Sequence, residues 1–228
     1  MDDRDLERAW ELLGHLFQAH PWHGVSAGPE APAVVSAYIE IVPTDTVKYE
    51  IDKPSGHLKV DRPQQFSNVC PTLYGFIPQT FCGELVAAFS QEKTHYRTVE
   101  GDGDPMDICV LSEKSFSHGD FLLQAVPVGG LRMIDRNQAD DKIVAVLKGD
   151  AAFGHCQEIS DLPAALVERL RHYFLTYKRP PGSEQVAVEI THVYGVAEAR
   201  EVIERSREDY RNRFPDLKER FLEALRKE

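Results

Sequence analysis

The sequence predicts an α+β domain with helices packed around a β core. Three observations carry that expectation. Short runs rich in β-branched and aromatic residues recur between residues 34 and 147, with turn-forming residues between them. Apolar side chains recur at helical spacing near the start of the chain and twice toward its end. The composition is globular, with 42% hydrophobic and 28% charged residues over 228 positions, which is enough for one domain with a sizeable core.

In chain order, residues 3–19 set Leu6, Trp10, Leu13 and Phe17 on one helical face. His20-Pro21-Trp22-His23-Gly24 ends that helix, and a loop containing Gly and Pro leads to Pro32. Residues 37–42 and 46–51 read as two short strands parted by Pro43 and Asp45, which predicts a hairpin. Residues 58–61 follow the turn Pro54-Ser55-Gly56 as a further strand. More strands are expected at 107–112, 121–128, 131–134, 142–147 and 186–194, a spacing that suggests a barrel or sandwich. Residues 162–177 place Leu162, Leu166, Leu170 and Phe174 four apart, with Ser160 or Asp161 as N-cap. Residues 197–227 are helical in composition, with Tyr210, Phe214, Leu217, Phe221 and Leu225 on one face and Pro215 dividing the segment in two. There is no internal repeat and no low-complexity segment.

Charge narrows the function. Lys plus Arg is 26 and Asp plus Glu is 37, a net −11 that speaks against nucleic acid or an anionic membrane as the main partner. It leaves an anionic small substrate open, because a bound metal reverses the local sign. No apolar run approaches the ~18 residues of a membrane span. Met1-Asp2-Asp3-Arg4-Asp5 lacks the basic start of a secretory signal. Cys70, Cys82, Cys109 and Cys156 form no C-x-x-C pair and read as free thiols. A cytoplasmic location is therefore expected.

The densest chemical signal is Glu100-Gly101-Asp102-Gly103-Asp104-Pro105-Met106-Asp107. At ~4 Å and an effective dielectric of ~20, each like-charge pair there costs about 4 kcal/mol. The glycines and Pro105 make a tight loop, so the carboxylates cannot spread along a solvated helix. Two readings stay open at this point: a solvated acidic loop, or a site for a hard cation with oxygen ligands. An EF-hand fails, because Asp107 stands where its turn needs Gly and Met106 where it needs an oxygen ligand. A Rossmann fingerprint fails at Met106, and no Walker A sequence occurs. A second acidic group, Asp135, Asp140 and Asp141, precedes Lys142; alone it reads as a polar turn. Lys48, Arg62, Lys178 and Arg179, with Tyr74 and Tyr177 close by in the chain, have the chemistry of a phosphate clamp, though each singly reads as a surface charge. His20 and His23, flanking Pro-Trp, read as a packed corner rather than a metal pair.

These residues together resemble the soluble magnesium-dependent inorganic pyrophosphatases of family I. Asp102-Gly103-Asp104-Pro105-Met106-Asp107 is similar to the family signature D-x-D-P-x-D. The flanking matches run in chain order: Tyr38-Ile39-Glu40-Ile41, Lys48-Tyr49-Glu50-Ile51-Asp52-Lys53, Val60-Asp61-Arg62 and Tyr74-Gly75-Phe76-Ile77-Pro78. They continue through Pro127-Val128-Gly129-Gly130-Leu131-Arg132-Met133-Ile134-Asp135, Asp140-Asp141-Lys142, and His172-Tyr173-Phe174 up to Tyr177-Lys178. The resemblance covers roughly residues 34–195. It implies an OB-like five-stranded closed β-barrel with flanking helices, in a single domain over 1–228, with helical extensions at 1–20 and 197–228. Residues 79–101 are longer than in the compact bacterial members.

The resemblance also implies hydrolysis of pyrophosphate to two phosphates with several Mg2+ per site, Mn2+ or Zn2+ being substitutes. Asp102, Asp107, Asp135 and Asp140 correspond to metal ligands and Asp104 to the general base. Lys48, Arg62, Tyr74, Lys142, Tyr177 and Lys178 correspond to phosphate contacts, and Glu40 and Glu50 to outer ligands acting through water. The implied partners are pyrophosphate and phosphate, with no nucleic acid and no membrane, in a homo-oligomer. Two other readings stand beside this one: a general metal-dependent phosphohydrolase, and a non-enzymatic calcium-binding or OB-fold module. Within the second, an OB-type nucleic-acid binder is opposed by the net charge and the acidic loops, since it would present a basic, aromatic face.

Overall fold

The computed structural model describes residues 18–65, 67–178 and 188–214. Its strands are β1 (Val35–Ile41), β2 (Val47–Ile51), β3 (Leu58–Pro63), β4 (Leu73–Phe76), β5 (Glu100–Gly101), β6 (Asp107–Leu111), β7 (Phe121–Asp135), β8 (Gln138–Ala139), β9 (Lys142–Leu147) and β10 (Val188–Gly195). Its helices are α1 (Glu84–Lys93), α2 (Ala164–Thr176) and α3 (Val196–Arg213). Residues 3–17 of the helix expected at 3–19, the segment from Pro215 onward and Arg179 lie outside the described residues; Gln18 and Ala19 are described and are not helical.

Five strands pair in a ring, β1-β4-β6-β9-β7 and back to β1. All of these pairs are antiparallel except β6–β9, which is parallel from Asp107↔Lys142 to Leu111↔Val146. This is an OB-like α+β arrangement. Strand β7 is long enough to take β1 at one end, β9 in the middle and β10 at the other. A register shift between Pro127 and Gly129 bends it between those partners.

The core fills both sides of this sheet. Ile39, Ile108, Val110 and Ile143 are fully buried in one cluster with Val202 and Ile203 of α3. Cys109, Leu131, Met133 and Val144 pack with Leu170 and Phe174 of α2 in another. Each such side chain contributes roughly 1.5–3 kcal/mol by leaving water. All four cysteines are free and buried.

Three sequence expectations change. Residues 37–42 and 46–51 form no hairpin: β2 pairs with β3, while β1 takes β4 and β7 as neighbours. The segments 121–128 and 131–134 are one strand, because Gly129 and Gly130 serve packing and not a turn. A Cβ on Gly130 would meet the Tyr194 ring at 2.4 Å. Asp161 closes a 3-10 turn by accepting from the Gln157 and Glu158 N–H groups, and α2 starts after Pro163.

The 79–101 segment is anchored by α1. Its N-terminus is capped from α3, where the buried Asp209 carboxylate accepts from the N–H groups of Gly83, Leu85 and Val86 at 3.0–3.1 Å. The packed corner expected at His20–His23 is present. Trp22 stacks on His23 at 4.5 Å, and the His23 ring nitrogen Nδ1 shares a 2.8 Å hydrogen bond with the Tyr210 hydroxyl. No helix among the described residues is long and apolar enough to cross a membrane.

Candidate active site

The parallel β6–β9 pair decides where the charged loops meet. Asp107 opens β6 and Lys142 opens β9, and the two are register partners, so both strands start at one end of the ring. Strand β7 runs antiparallel to β9 and ends there with Asp135. The loop before β6 brings Asp102 and Asp104, and the short link from β8 to β9 brings Asp140. Gly103 adopts a left-handed φ of 75°, which lets the acidic loop turn back sharply between Asp102 and Asp104. Tyr177 caps the C-terminus of α2, its N–H donating to the Tyr173 carbonyl, and the helix so delivers Tyr177 and Lys178 to the same place.

The result is one cleft of about 200 Å3, open to solvent. It is lined by Glu40, Lys48, Glu50, Tyr74, Asp102, Asp104, Asp107, Asp135, Asp140, Lys142, Tyr177 and Lys178. Twelve of the thirteen expected site residues therefore meet. Arg62 does not line the cleft; it reaches it through Tyr177, its guanidinium lying 5.6 Å from that ring's centroid.

Polar contacts hold these side chains in order. Lys142, only 1% exposed, ion-pairs with both Asp107 and Asp140. The Tyr74 hydroxyl donates to Asp107 Oδ2 at 2.6 Å. Lys178 pairs with Asp135 Oδ2 at 2.6 Å. Lys48 bridges Glu50 and Asp61, both at 3.0 Å. Glu40 is buried and accepts from the Ile51 N–H at 2.6 Å, which ties β1 to β2 where backbone pairing does not. Burial pushes Glu40 up to about 8.

Electrostatics separate acids from donors. Burial, then the charges of Asp140 and Asp104, push Asp102 well above the usual carboxylate range. Burial also raises Asp140 against the opposing pull of Lys142. Burial works against the Lys142 ammonium, but Asp107 and Asp140 outweigh it and hold that charge firmly. Burial and the Asp107 charge keep the Tyr74 phenol protonated, hence a donor.

This set fits a hard divalent cation. The donors are carboxylate oxygens, crowded enough to raise one another's proton affinity. The buried Oδ1 of Asp135 has no hydrogen-bond partner among the described residues, although its sister oxygen is paired. Among the described residues, no three carboxylate, imidazole or thiol side chains already converge on a single point. Lys142 holds the position between Asp107 and Asp140.

Asp141 parts from its neighbour. In extended backbone successive side chains alternate, so Asp140 faces the cleft and Asp141 the interior. There it pairs with the fully buried Arg132 at 2.8 Å and accepts from the Tyr194 hydroxyl at 3.0 Å. Lys53, Gln138 and Phe76 also line the cleft and were not expected there. For Lys53 the available signal was its place in the matched run 48–53.

The sequence is similar to known proteins over the region that builds this cleft. A family model described as inorganic pyrophosphatase matches residues 37–211. An inorganic pyrophosphatase from Chlamydia caviae is 50% identical over 199 residues, covering 86% of this chain and 92% of that one. One from Chlamydia trachomatis serovar L2 is 48% identical over 203 residues, covering 87% and 97%. A crystal structure of inorganic pyrophosphatase from Thermus thermophilus shares the fold with a TM-score of 0.70 at 30% identity, covering 85% of this chain and 99% of that one.

Proposed function

The chain belongs to the soluble family I inorganic pyrophosphatases and hydrolyses inorganic pyrophosphate to two phosphates; we propose that it does so with Mg2+ and with the cleft residues in the roles that follow. The observation that supports these roles is the meeting of five aspartates with Lys48, Lys142 and Lys178 in one cleft.

Asp102, Asp107, Asp135 and Asp140 would hold the metal, with Glu40 and Glu50 acting through water. Bound there, Mg2+ supplies positive charge toward the polyanion and a water whose pKa lies well below ~15.7. Lys48, Arg62 and Lys178 neutralise outer phosphoryl oxygens, and Tyr74 and Tyr177 donate hydroxyl hydrogens to them. Asp104 accepts the proton of the attacking water at its carboxylate. Attack is in line, and Lys142 stabilises the charge that develops on the departing phosphate. Mn2+ and Zn2+ are substitutes for Mg2+. We further read the strand ring as a closed barrel with this cleft at its mouth, in a single domain. The enzyme is cytoplasmic and a homo-oligomer, with neither nucleic acid nor membrane as partner.

Phosphate release from pyrophosphate, ATP and p-nitrophenyl phosphate, each with and without Mg2+, tests this. Pyrophosphate should exceed the others by about 10² to 10⁴ in kcat/KM, because an esterified phosphoryl group loses two charge-assisted contacts of roughly 1.5–3 kcal/mol each. Equal rates on all three would make it a general phosphohydrolase. Turnover that survives chelation would overturn the metal assignment.

A further inference from the structure

Lys53 lines the cleft, yet none of the roles above uses it. It follows β2 in a turn closed by the Asp52 N–H donating to the His57 carbonyl at 2.8 Å. Its ammonium ion-pairs with the carboxylate of Asp104, and both side chains are about half exposed.

Two contacts seat this lysine from behind. The ammonium lies 6.0 Å from the centroid of the Trp22 ring. The Lys53 carbonyl faces Nε2 of His20 at 3.0 Å. Trp22 is itself locked, since its Nε1–H donates to the Thr80 carbonyl at 2.8 Å. The Thr80 hydroxyl oxygen accepts from the Met106 N–H at 2.8 Å, and the Cys82 N–H donates to the Asp104 carbonyl at 2.8 Å. The short segment carrying Thr80 and Cys82 therefore holds both the wall behind Lys53 and the backbone of Asp104. The two partners are mounted on one frame.

A half-exposed ion pair contributes little to stability, so its use lies in orientation. We propose that Lys53 is a positioning residue for Asp104: its ammonium, seated against Trp22, keeps the carboxylate aimed at the attacking water. This rests on Asp104 being the base. A base displaced by a small distance loses much of its rate advantage while substrate binding is spared.

Four variants test it at saturating Mg2+: Lys53→Met, Lys53→Arg, Asp104→Asn and the double variant Lys53→Met/Asp104→Asn. Lys53→Met should lower kcat roughly 10-fold, with KM for pyrophosphate moved by less than about twofold. Lys53→Arg should recover most of that loss. On the Asp104→Asn background, itself down by roughly 10² or more, Lys53→Met should cost nothing further. Multiplied losses in the double variant, or a risen KM with kcat intact, would show that Lys53 acts on substrate and overturn the proposal. So would failure of arginine to rescue. A crippled Asp104→Asn beside a normal Lys53→Met overturns this inference alone, whereas near-normal turnover by Asp104→Asn overturns the base assignment and the inference with it.

Discussion

Asp107 serves several groups at once. It accepts from the Tyr74 hydroxyl and pairs with Lys142, and we assign it to the metal as well. Asp107→Ala should therefore raise the Mg2+ concentration for half-maximal activity by roughly tenfold or more, since each ~1.4 kcal/mol of lost binding is a factor of ten. An unmoved midpoint in a Mg2+ titration would remove Asp107 from the ligand set. Arg62 and Lys178 make the opposite case. Arg62→Ala and Lys178→Ala should raise KM for pyrophosphate, each losing a charge-assisted contact of roughly 1.5–3 kcal/mol, with the Mg2+ midpoint nearly unchanged. If steady-state kinetics gave the reverse pattern, their roles and those of the aspartates would have to be exchanged. The D-x-D-P-x-D run was readable in advance because its members are neighbours in the chain; spacing alone left a solvated loop and a cation site open, and the resemblance to the family chose the cation site. Lys53 was not readable as a partner of Asp104, since a single lysine in a polar turn has no distinguishing pattern. Its meaning comes from Trp22 and Thr80, far away in sequence.

Strands and corners show a similar division. The strand-rich middle and the helix containing Leu170 and Phe174 were legible from periodicity, but strand partners were not. Chain proximity favoured a hairpin of 37–42 with 46–51, whereas ring pairing gives β1 two other neighbours and leaves Glu40 to bridge to β2. The Gly129-Gly130 pair looks like a turn, and only the Tyr194 ring packed against it explains why the strand continues. The His20–His23 corner carries a pH dependence. Burial, then the neighbouring His20 charge, lowers His23 to about 4 from the 6.5 of an ordinary histidine. Below pH 6.5 the unfolded chain takes up a proton that the native corner refuses. The contribution of this group to stability is thus complete above 6.5 and is lost progressively as pH falls toward 4. His23→Gln should flatten that part of the melting-temperature profile relative to the parent protein. Parallel profiles for the two would show that His23 does not titrate in this way.

At the scale of the whole molecule, the parallel start of β6 and β9 has a thermodynamic consequence. The cleft residues are spread along the chain from Glu40 to Lys178 and come together at one end of a ring built from distant strands. An unfolded chain keeps the local acidic run but has no such constellation. A divalent ion that binds the assembled cleft is then a ligand of the native state alone, and mass action converts its concentration into resistance to unfolding. At roughly a hundred times Kd that amounts to about 2.7 kcal/mol. Urea unfolding followed with and without Mg2+ should show the midpoint rising with the ion, and rising less for Asp107→Ala. A midpoint indifferent to Mg2+ would mean that the folded cleft binds the ion no better than the unfolded chain does. Where the gain is real, the cell's magnesium level sets the lifetime of the enzyme as well as its rate: a chain starved of the ion opens more often, and each opening is a chance for proteolysis.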